Sequence, residues 1–299
     1  MTGAAGALGR ALVARLTADG TPVLGLDRAP VDLPGAAFEP CDVATARFAD
    51  LVRPGDVVFH LAAFVHRLPR TAGEIREVHE VNHHATTRLA QACRGAGATL
   101  VFVSTVAVSA GSEYGKSKAA AEEDVRNLGG EGLSFSIVRF PLLYGPHGHG
   151  NMERMLGAIR SGRYWPIGDP ATPKSCLFLE DAARALALAA RRGLGSTFVA
   201  APDPAPTLGE IHRAAYAALG KRSPTSPIPR GVALAVARAA QAVAGLAGKR
   251  IRLPEQIETL TEPSEFDGAP FARATGFSPE VGLDEGMRRT ARWMEGHPA

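Results

Sequence analysis

Cysteine, aromatic residues and net charge are all scarce in this chain. Of its 299 residues 3 are Cys and 6% are aromatic, and the net charge is +3. Cys41, Cys93 and Cys176 are odd in number and widely spaced, which argues against a disulfide framework or a CxxC zinc site and indicates a reducing compartment. Lys and Arg are scattered, so we expect no nucleic-acid partner.

Long apolar runs are also absent. The most apolar stretch, Val232–Leu246, is shorter than the roughly 20 residues of a membrane span and has Arg238 in its middle, so we expect a buried helix. The chain begins directly in a glycine-rich motif, without the pattern of a signal peptide. We therefore expect a cytoplasmic protein with no membrane partner.

Histidines are present, but their spacing does not predict a metal site. His147 and His149 alternate with glycines, and His79 and His83 are one helical turn apart. His84 directly follows His83, but partial helical spacing of histidines alone rarely makes a metal site, so we expect no metal.

Short apolar runs alternate with helix-length segments in the first half. The predicted strands are Val23–Leu26, Asp56–Leu61, Leu100–Ser104 and Phe135–Arg139. The predicted helices are Leu8–Ala18, Glu74–Cys93 and Tyr114–Leu128, with Leu208–Leu219 and Val232–Leu246 in the second half. This alternation predicts an α/β fold, a Rossmann-type doubly wound parallel sheet with a smaller, mostly helical C-terminal part for the substrate. The predicted division is 1–145, completed by segments near 176–200, against 146–175 and 201–299.

The chain opens on Thr2-Gly3-Ala4-Ala5-Gly6-Ala7-Leu8-Gly9. Gly3, Gly6 and Gly9 let the backbone turn tightly beside a pyrophosphate, and the helix that follows offers its N–H groups to the same anion. Asp27 ends the next predicted strand, where a carboxylate meets the ribose hydroxyls of a dinucleotide. Asp27 favours NAD, while the adjacent Arg28 keeps NADP as the second choice.

A strand normally precedes such a glycine motif, and here only Met1 precedes Thr2. The first strand is central in this fold, so its loss leaves two strand edges unpaired. We therefore expect translation to begin several residues upstream.

The motifs TGAAGALGR, Cys41-Asp42-Val43, His60-Leu61-Ala62-Ala63, Asn82, Ser104-Thr105 and Tyr114-Gly115-Lys116-Ser117-Lys118 follow one another in a known order. Together they resemble the extended short-chain dehydrogenases of the NAD-dependent epimerase/dehydratase family. The resemblance continues through Arg139–Pro146, Asn151, Lys174–Asp181 and Ala274–Pro279, and so covers essentially the whole chain.

The resemblance implies a role for each matching residue. Ala7 and Leu8 would lie against the pyrophosphate, Asp42 and Val43 beside the adenine, Leu61, Ala62 and Ala63 beside the ribose, and Asn82 would support the site. Thr105, Tyr114 and Lys118 would be catalytic, and Tyr114 and Lys118 would also contact the cofactor. Asn151 and Lys174 would contact the substrate, with Lys174 where the family often has an Arg. The resemblance also implies a homodimer through the Tyr114 helix and the Glu74–Cys93 helix.

Tyr114 and Lys118 are spaced i, i+4, which places both side chains on one helix face. A nearby ammonium favours the phenolate, so Tyr114 could take a proton from a substrate hydroxyl while Thr105 donates to the same oxygen. The loop between Thr105 and Tyr114 is shorter than in the family, which leaves their geometry open. Ser109 or Ser112 could lie near the site instead.

Family dehydratases carry Asp-Glu after the Thr, where this chain has Val106-Ala107, so dehydration is disfavoured. Epimerisation and net oxidation or reduction at a secondary alcohol both remain. The segment from Tyr144 to Met152 resembles members that act on nucleoside-diphosphate sugars, and we expect that substrate class. The alternatives are a reductase of a non-nucleotide ketone or aldehyde and a non-catalytic NAD(P)-binding sensor.

Overall fold

The first half of the chain forms a parallel sheet, as the alternating pattern predicts. This computed structural model describes residues 1–65, 69, 71–191, 194–246 and 253–297. The strands are β1 (Leu24–Asp27), β2 (Ala37–Pro40), β3 (Val57–His60), β4 (Thr99–Thr105), β5 (Ser134–Phe140), β6 (Leu142–Tyr144), β7 (Cys176–Phe178) and β8 (Thr197–Val199).

The strands of the main sheet all run parallel. β2 pairs with β1, while β3, β4, β5 and β8 are neighbours in that order. Between β1 and β3 lie Met1 and Thr2, and Thr2 bridges to Leu26 on one side and to His60 on the other. Two residues thus take the place that the sequence analysis reserves for a first strand. Leu24 and Val57, at the starts of the flanking strands, are 40% and 44% exposed.

The helices connect these strands and build the second half. They are α1 (Ala7–Ala18), α2 (Ala72–His79), α3 (Ala85–Ala96), α4 (Glu113–Gly130), α5 (Asn151–Arg160), α6 (Leu179–Ala190), α7 (Leu208–Ala218), α8 (Arg230–Leu246), α9 (Leu253–Thr261), α10 (Ala269–Thr275) and α11 (Leu283–Gly296). The predicted helix Glu74–Cys93 corresponds to α2 and α3, joined by a π-helical turn at Glu80–His84.

Apolar side chains cover both faces of the sheet. Consecutive strand residues point to opposite faces, and Val101 and Phe102 of β4 accordingly belong to different core clusters. Phe102 packs in the cluster that contains residues of α3 and α4. Val101 packs in the cluster that contains Leu12 of α1 and Leu186 of α6. The doubly wound α/β fold is therefore confirmed, and each fully buried side chain of this size contributes about 1.5–3 kcal/mol.

The chain divides into two compact units. The first unit comprises Met1–Leu143, Leu177–Ala201 and Asp267–Glu280, and the second comprises Tyr144–Cys176, Pro202–Phe266 and Val281–Ala299. The first unit contains the main sheet. It also takes in 267–280, a segment that the sequence analysis placed with the second part, because Phe271 and Phe277 pack in the same core cluster as Leu12 and Leu186.

The expectation of a buried helix at Val232–Leu246 is wrong for the outer face of α8. Ala233 and Ala237 are buried, whereas Val236 and Val243 are 65% and 68% exposed. Apolarity alone did not distinguish the two faces, because Ala and Val occupy both. Within the described part of the chain, no helix combines the length and apolarity that crossing a membrane requires.

Candidate active site

The glycine-rich turn leads directly into α1, whose N-cap is Gly6. Gly3 has a positive φ of 72°, and a Cβ there would lie 2.6 Å from the Ala62 nitrogen. A Cβ on Gly9 would lie 2.2 Å from the Gly3 carbonyl oxygen, so α1 approaches the turn too closely for any side chain. Because glycine has no Cβ, the turn can pack this closely against the neighbouring backbone. The start of α1 is accessible to an anion.

Asp27 ends β1 beside this turn. Its carboxylate accepts hydrogen bonds from the Ala5 nitrogen at 3.0 Å and from the Ala29 nitrogen at 3.2 Å. The neighbouring Arg28 is exposed. A carboxylate fixed at this strand end meets the requirement for binding ribose hydroxyls.

Asp42 and Val43 follow β2. The Asp42 carboxylate accepts from the Ala44 nitrogen at 2.9 Å, which shapes the local turn. Arg88 donates to the carbonyls of Val43 and Ala44 at 3.3 and 2.7 Å. The Val43 side chain is 7% exposed and belongs to the core cluster with Phe102, so most of its surface contacts protein.

Leu61, Ala62 and Ala63 follow β3 and run beside the glycine turn. The Ala62 nitrogen donates to the Thr2 hydroxyl at 3.3 Å. Asn82 holds the next residue, since its Oδ1 accepts from the Phe64 nitrogen at 2.6 Å and its Nδ2 donates to the Phe64 carbonyl at 3.2 Å. Asn82 Nδ2 also donates to the Ser117 hydroxyl at 3.1 Å. The π-helical turn at Glu80–His84 thus places the side-chain amide of Asn82 between the loop that follows β3 and α4, and the amide links the two.

Thr105 and Tyr114 are brought together despite the short loop. The Thr105 side chain is close enough to Tyr114 to lower the pKa of its phenol, and Thr105 accepts a hydrogen bond from the Ala107 nitrogen at 3.1 Å. The loop turns back through one 3₁₀ turn at Val106–Ser109. A Cβ on Gly115 would lie 2.3 Å from the Ala107 carbonyl, so glycine after Tyr114 permits this close return.

The two serines named as alternatives have structural partners. Ser112 caps α4 by accepting from the Gly115 nitrogen at 3.1 Å. The Ser109 hydroxyl donates to the Val106 carbonyl at 3.4 Å and is exposed. The side chain that meets Thr105 is that of Tyr114.

Lys118 lies one turn after Tyr114 on α4 and is 2% exposed. Its Nζ lies over the Phe102 ring, 4.0 Å from the ring centroid, which is the geometry of a cation–π contact. Burial lowers the pKa of Lys118 to about 7, against an opposing effect of Glu122. Burial raises the pKa of Tyr114 to about 12, although the hydrogen bond to Thr105 acts in the other direction. In the chain without cofactor, burial is therefore the largest effect on the Tyr114 pKa, and the lowering that we expected from Lys118 is not seen.

His60, at the end of β3, is fully buried between two threonines. Its Nδ1 is 2.7 Å from the Thr2 hydroxyl and its Nε2 is 2.9 Å from the Thr86 hydroxyl. Because Thr86 donates to the Asn82 carbonyl at 2.9 Å, the network assigns the proton to Nε2 and makes Nδ1 the acceptor. Burial lowers the pKa of His60 to about 3, so this ring is neutral and structural.

The two predicted substrate residues belong to the second unit. Asn151 is exposed and begins α5. Lys174 donates from Nζ to the Thr259 carbonyl at 2.8 Å, and burial lowers its pKa. Both remain predictions as substrate ligands.

Sequence reasoning missed one buried ionic group of the site. Glu122 lies on α4 one turn after Lys118 and accepts from Arg139 at the end of β5. The signal was its spacing, since Tyr114, Lys118 and Glu122 recur every four residues. Across the described residues, no group of three His, Cys, Asp or Glu side chains could hold a metal ion.

The sequence pattern of the NAD dependent epimerase/dehydratase family matches residues 1–201. The chain belongs to this family. It is accordingly an enzyme with NAD as its cofactor, and the turn at Gly3–Gly9 and the Asp27 carboxylate fit that cofactor.

Individual relatives within this similarity have different activities. A ceramide reductase of Caulobacter vibrioides (strain NA1000 / CB15N) is 33% identical over 195 residues, which cover 62% of this chain and 58% of that protein. A UDP-glucose 4-epimerase of Mycolicibacterium smegmatis (strain ATCC 700084 / mc(2)155) is 26% identical over 334 residues, which cover 98% and 97%. The structure of MoeE5 in complex with UDP-glucuronic acid and NAD is 25% identical and superposes with a TM-score of 0.77, covering 99% of this chain and 98% of MoeE5.

Proposed function

We propose that this enzyme transfers hydride between NAD and a secondary alcohol of a nucleoside-diphosphate sugar, as an epimerase or a dehydrogenase. The observation that carries the proposal is that Tyr114 and Lys118 lie one turn apart on α4, with Thr105 at the end of β4 close enough to Tyr114 to act on its pKa. These three side chains belong to the same unit as the glycine turn. Together they supply a proton acceptor, a hydroxyl partner and a cation beside a dinucleotide site.

Asp27 makes NAD the preferred cofactor over NADP. Its carboxylate is fixed by the Ala5 and Ala29 nitrogens, and it would repel a phosphate on the adenosine ribose. Arg28 is exposed beside it and is the residue through which NADP would still bind. The glycine turn and the start of α1, with Ala7 and Leu8, would hold the pyrophosphate.

Tyr114 is the proposed acceptor of the substrate's hydroxyl proton. Bound NAD supplies the hydride acceptor and a positive ring. Tyr114 Oη then takes the proton of the substrate hydroxyl, while Thr105 orients the same oxygen. Since burial alone raises the pKa of Tyr114 to about 12, the phenolate needs positive charge from Lys118 and from the cofactor.

The nucleotide sugar is favoured by two of the relatives. The Mycolicibacterium smegmatis relative is named a UDP-glucose 4-epimerase, and MoeE5 was solved with UDP-glucuronic acid. Asn151 and Lys174 are the residues that we expect to contact this substrate. Val106 and Ala107 replace the acidic pair of the dehydratases, so the reaction stops at redox chemistry or inversion.

The second candidate is a reductase of a non-nucleotide ketone or aldehyde. It is favoured by the 33% identity to a ceramide reductase and by the short return between Thr105 and Tyr114, which changes one wall of the site. A non-catalytic NAD(P) sensor is disfavoured, because Thr105, Tyr114 and Lys118 are all retained and Thr105 lies close to Tyr114.

The cellular location and the partners of the protein are proposals as well. Cys41, Cys93 and Cys176 are all free thiols, which suits the cytoplasm. We keep the proposal of a homodimer through α4 and the segment of α2 and α3, and of no nucleic-acid or membrane partner.

The experiment incubates the purified chain with NAD and a panel of UDP- and dTDP-sugars, and follows the anomeric proton signals by NMR. Conversion of one sugar into its epimer supports the epimerase, and a stoichiometric reduction of NAD supports the dehydrogenase. A parallel panel offers NADH with apolar ketones and aldehydes. Turnover confined to that second panel would reject the nucleotide sugar and select the reductase. The Tyr114→Phe variant is the control for both panels.

A further inference from the structure

Three polar side chains recur along one face of α4. Tyr114, Lys118 and Glu122 are spaced i, i+4 and i+8, so they lie one above another. Glu122 is 0% exposed, which is costly for a carboxylate without partners. Neither the proposed proton transfer nor cofactor binding uses it.

Glu122 is held from three sides. Arg139 donates Nε to Oε1 at 2.8 Å and Nη2 to Oε2 at 2.5 Å, a two-pronged pairing. Ser104 donates to Oε1 at 2.6 Å, and Arg126 donates to Oε2 at 3.1 Å. Burial raises the pKa of Glu122, but the bonds from Arg139 and Ser104 outweigh it and hold this pKa below its usual range. The group is therefore a fixed negative charge that joins α4 to the ends of β4 and β5.

The groups that face Lys118 indicate a role for the negative charge of Glu122. From β4, the neighbour of the ammonium is the Phe102 ring. From β3 the facing titratable group is His60, which is neutral between its two threonines. On α4 itself the facing groups are Tyr114 and Glu122. Glu122 thus supplies the negative charge that opposes the effect of burial on the pKa of Lys118.

We infer that Glu122 is a positioning residue for the reaction: its buried carboxylate, fixed by Arg139 and Ser104, holds the Lys118 ammonium in its charged form one turn from Tyr114. The inference rests on the proposed function, because it matters only if Lys118 assists Tyr114. Its test does not depend on turnover.

The test measures the pKa of Lys118 directly by NMR. The chain has five lysines, Lys116, Lys118, Lys174, Lys221 and Lys249, so protein labelled with ¹³C at the lysine ε-carbons gives few signals. The Lys118 signal is assigned as the one that a Lys118→Arg variant lacks. It is then followed against pH in the wild type, in Glu122→Gln and in Glu123→Gln. Glu123 is the exposed neighbour of Glu122 and a matched control for removing one negative charge from α4.

We expect the pKa of Lys118 to fall by about one unit in Glu122→Gln, since an opposite charge nearby shifts a pKa by about this much or more. In Glu123→Gln it should stay at the wild-type value. An unchanged pKa in Glu122→Gln, or an equal fall in Glu123→Gln, would overturn the inference. If Glu122→Gln does not fold, the double variant Glu122→Gln/Arg139→Gln takes its place. It keeps a hydrogen-bonded polar pair there but also removes the positive charge of Arg139, so we expect a smaller fall of the Lys118 pKa, and no fall would overturn the inference.

A second measurement links the charge to the reaction. With an active substrate in hand, the limb of the turnover profile that reports Lys118 should move to lower pH in Glu122→Gln, together with the NMR titration. If this limb of the pH profile keeps its wild-type position while the pKa of Lys118 measured by NMR falls, the role of Glu122 in catalysis is overturned. Failure of the proposed function would look different, because wild-type turnover would be absent while the NMR shift was still observed.

Discussion

The burial of Lys118 leads to an unusual prediction, that removing it stabilises the chain without cofactor. The side chain is 2% exposed, and its pKa is lowered from 10.5 to about 7. An unfolded chain keeps this lysine charged up to its ordinary pKa. Between these two values the unfolded state binds more protons than the folded state, so wild-type stability rises with pH.

The size of the effect follows from the shift. Each unit of pKa corresponds to about 1.4 kcal/mol, so Lys118 lowers the free energy of unfolding by about 5 kcal/mol below pH 7. Lys118→Met keeps a flexible apolar side chain and removes this penalty. The contact of the ammonium with the Phe102 ring acts on the charged form and is already included in this pKa shift. We expect a gain of about 5 kcal/mol near pH 6, falling to about 2 kcal/mol at about pH 9.

The assay is urea unfolding followed by far-UV circular dichroism, with wild type and Lys118→Met compared at both pH values. Lys116→Met is the control, because Lys116 lies on the same helix and is 58% exposed. It should show no pH-dependent gain. A Lys118→Met protein that is less stable than the wild type at about pH 6, or whose gain does not shrink as the pH rises, would refute the reasoning.

Three further changes test the site. Tyr114→Phe should lower turnover by about 100-fold or more while NAD still binds, because the ring stays and the titrating oxygen is lost; turnover and calorimetry measure the two effects. Asp27→Ala should weaken NAD and raise the affinity for NADP relative to it, and an unaltered ratio of the two dissociation constants would exclude Asp27 as the ribose ligand. Gly9→Ala should abolish NAD binding, since its Cβ would lie 2.2 Å from the Gly3 oxygen; NAD affinity equal to the wild type, measured by calorimetry, would contradict this.

The sequence predicted the fold wherever pattern and motif agreed. β4 and β5, at Thr99–Thr105 and Ser134–Phe140, extend the predicted apolar runs by one residue at each end. β2 at Ala37–Pro40 was missed, because its residues are mostly exposed and do not form an apolar run. The outer face of α8 was misjudged, because burial depends on what packs against a helix and not on its composition alone.

For the candidate site, the sequence indicated which side chains lie close together but not their electrostatics. The motif placed Tyr114 and Lys118 on one helix face, and the structure adds that Thr105 lies close to Tyr114 despite the short loop. Residue spacing could not reveal that burial raises the pKa of Tyr114 and lowers the pKa of Lys118. The ion pair of Glu122 and Arg139 depends on the contact between α4 and β5, and no local sequence pattern encodes that contact.

Calorimetric titration of the purified chain with NAD, and separately with NADP, is the direct test of the dinucleotide site. We expect saturable binding of NAD with one site per chain, and weaker binding of NADP. A folded protein that binds neither dinucleotide, or that binds NADP more tightly than NAD, would contradict this expectation.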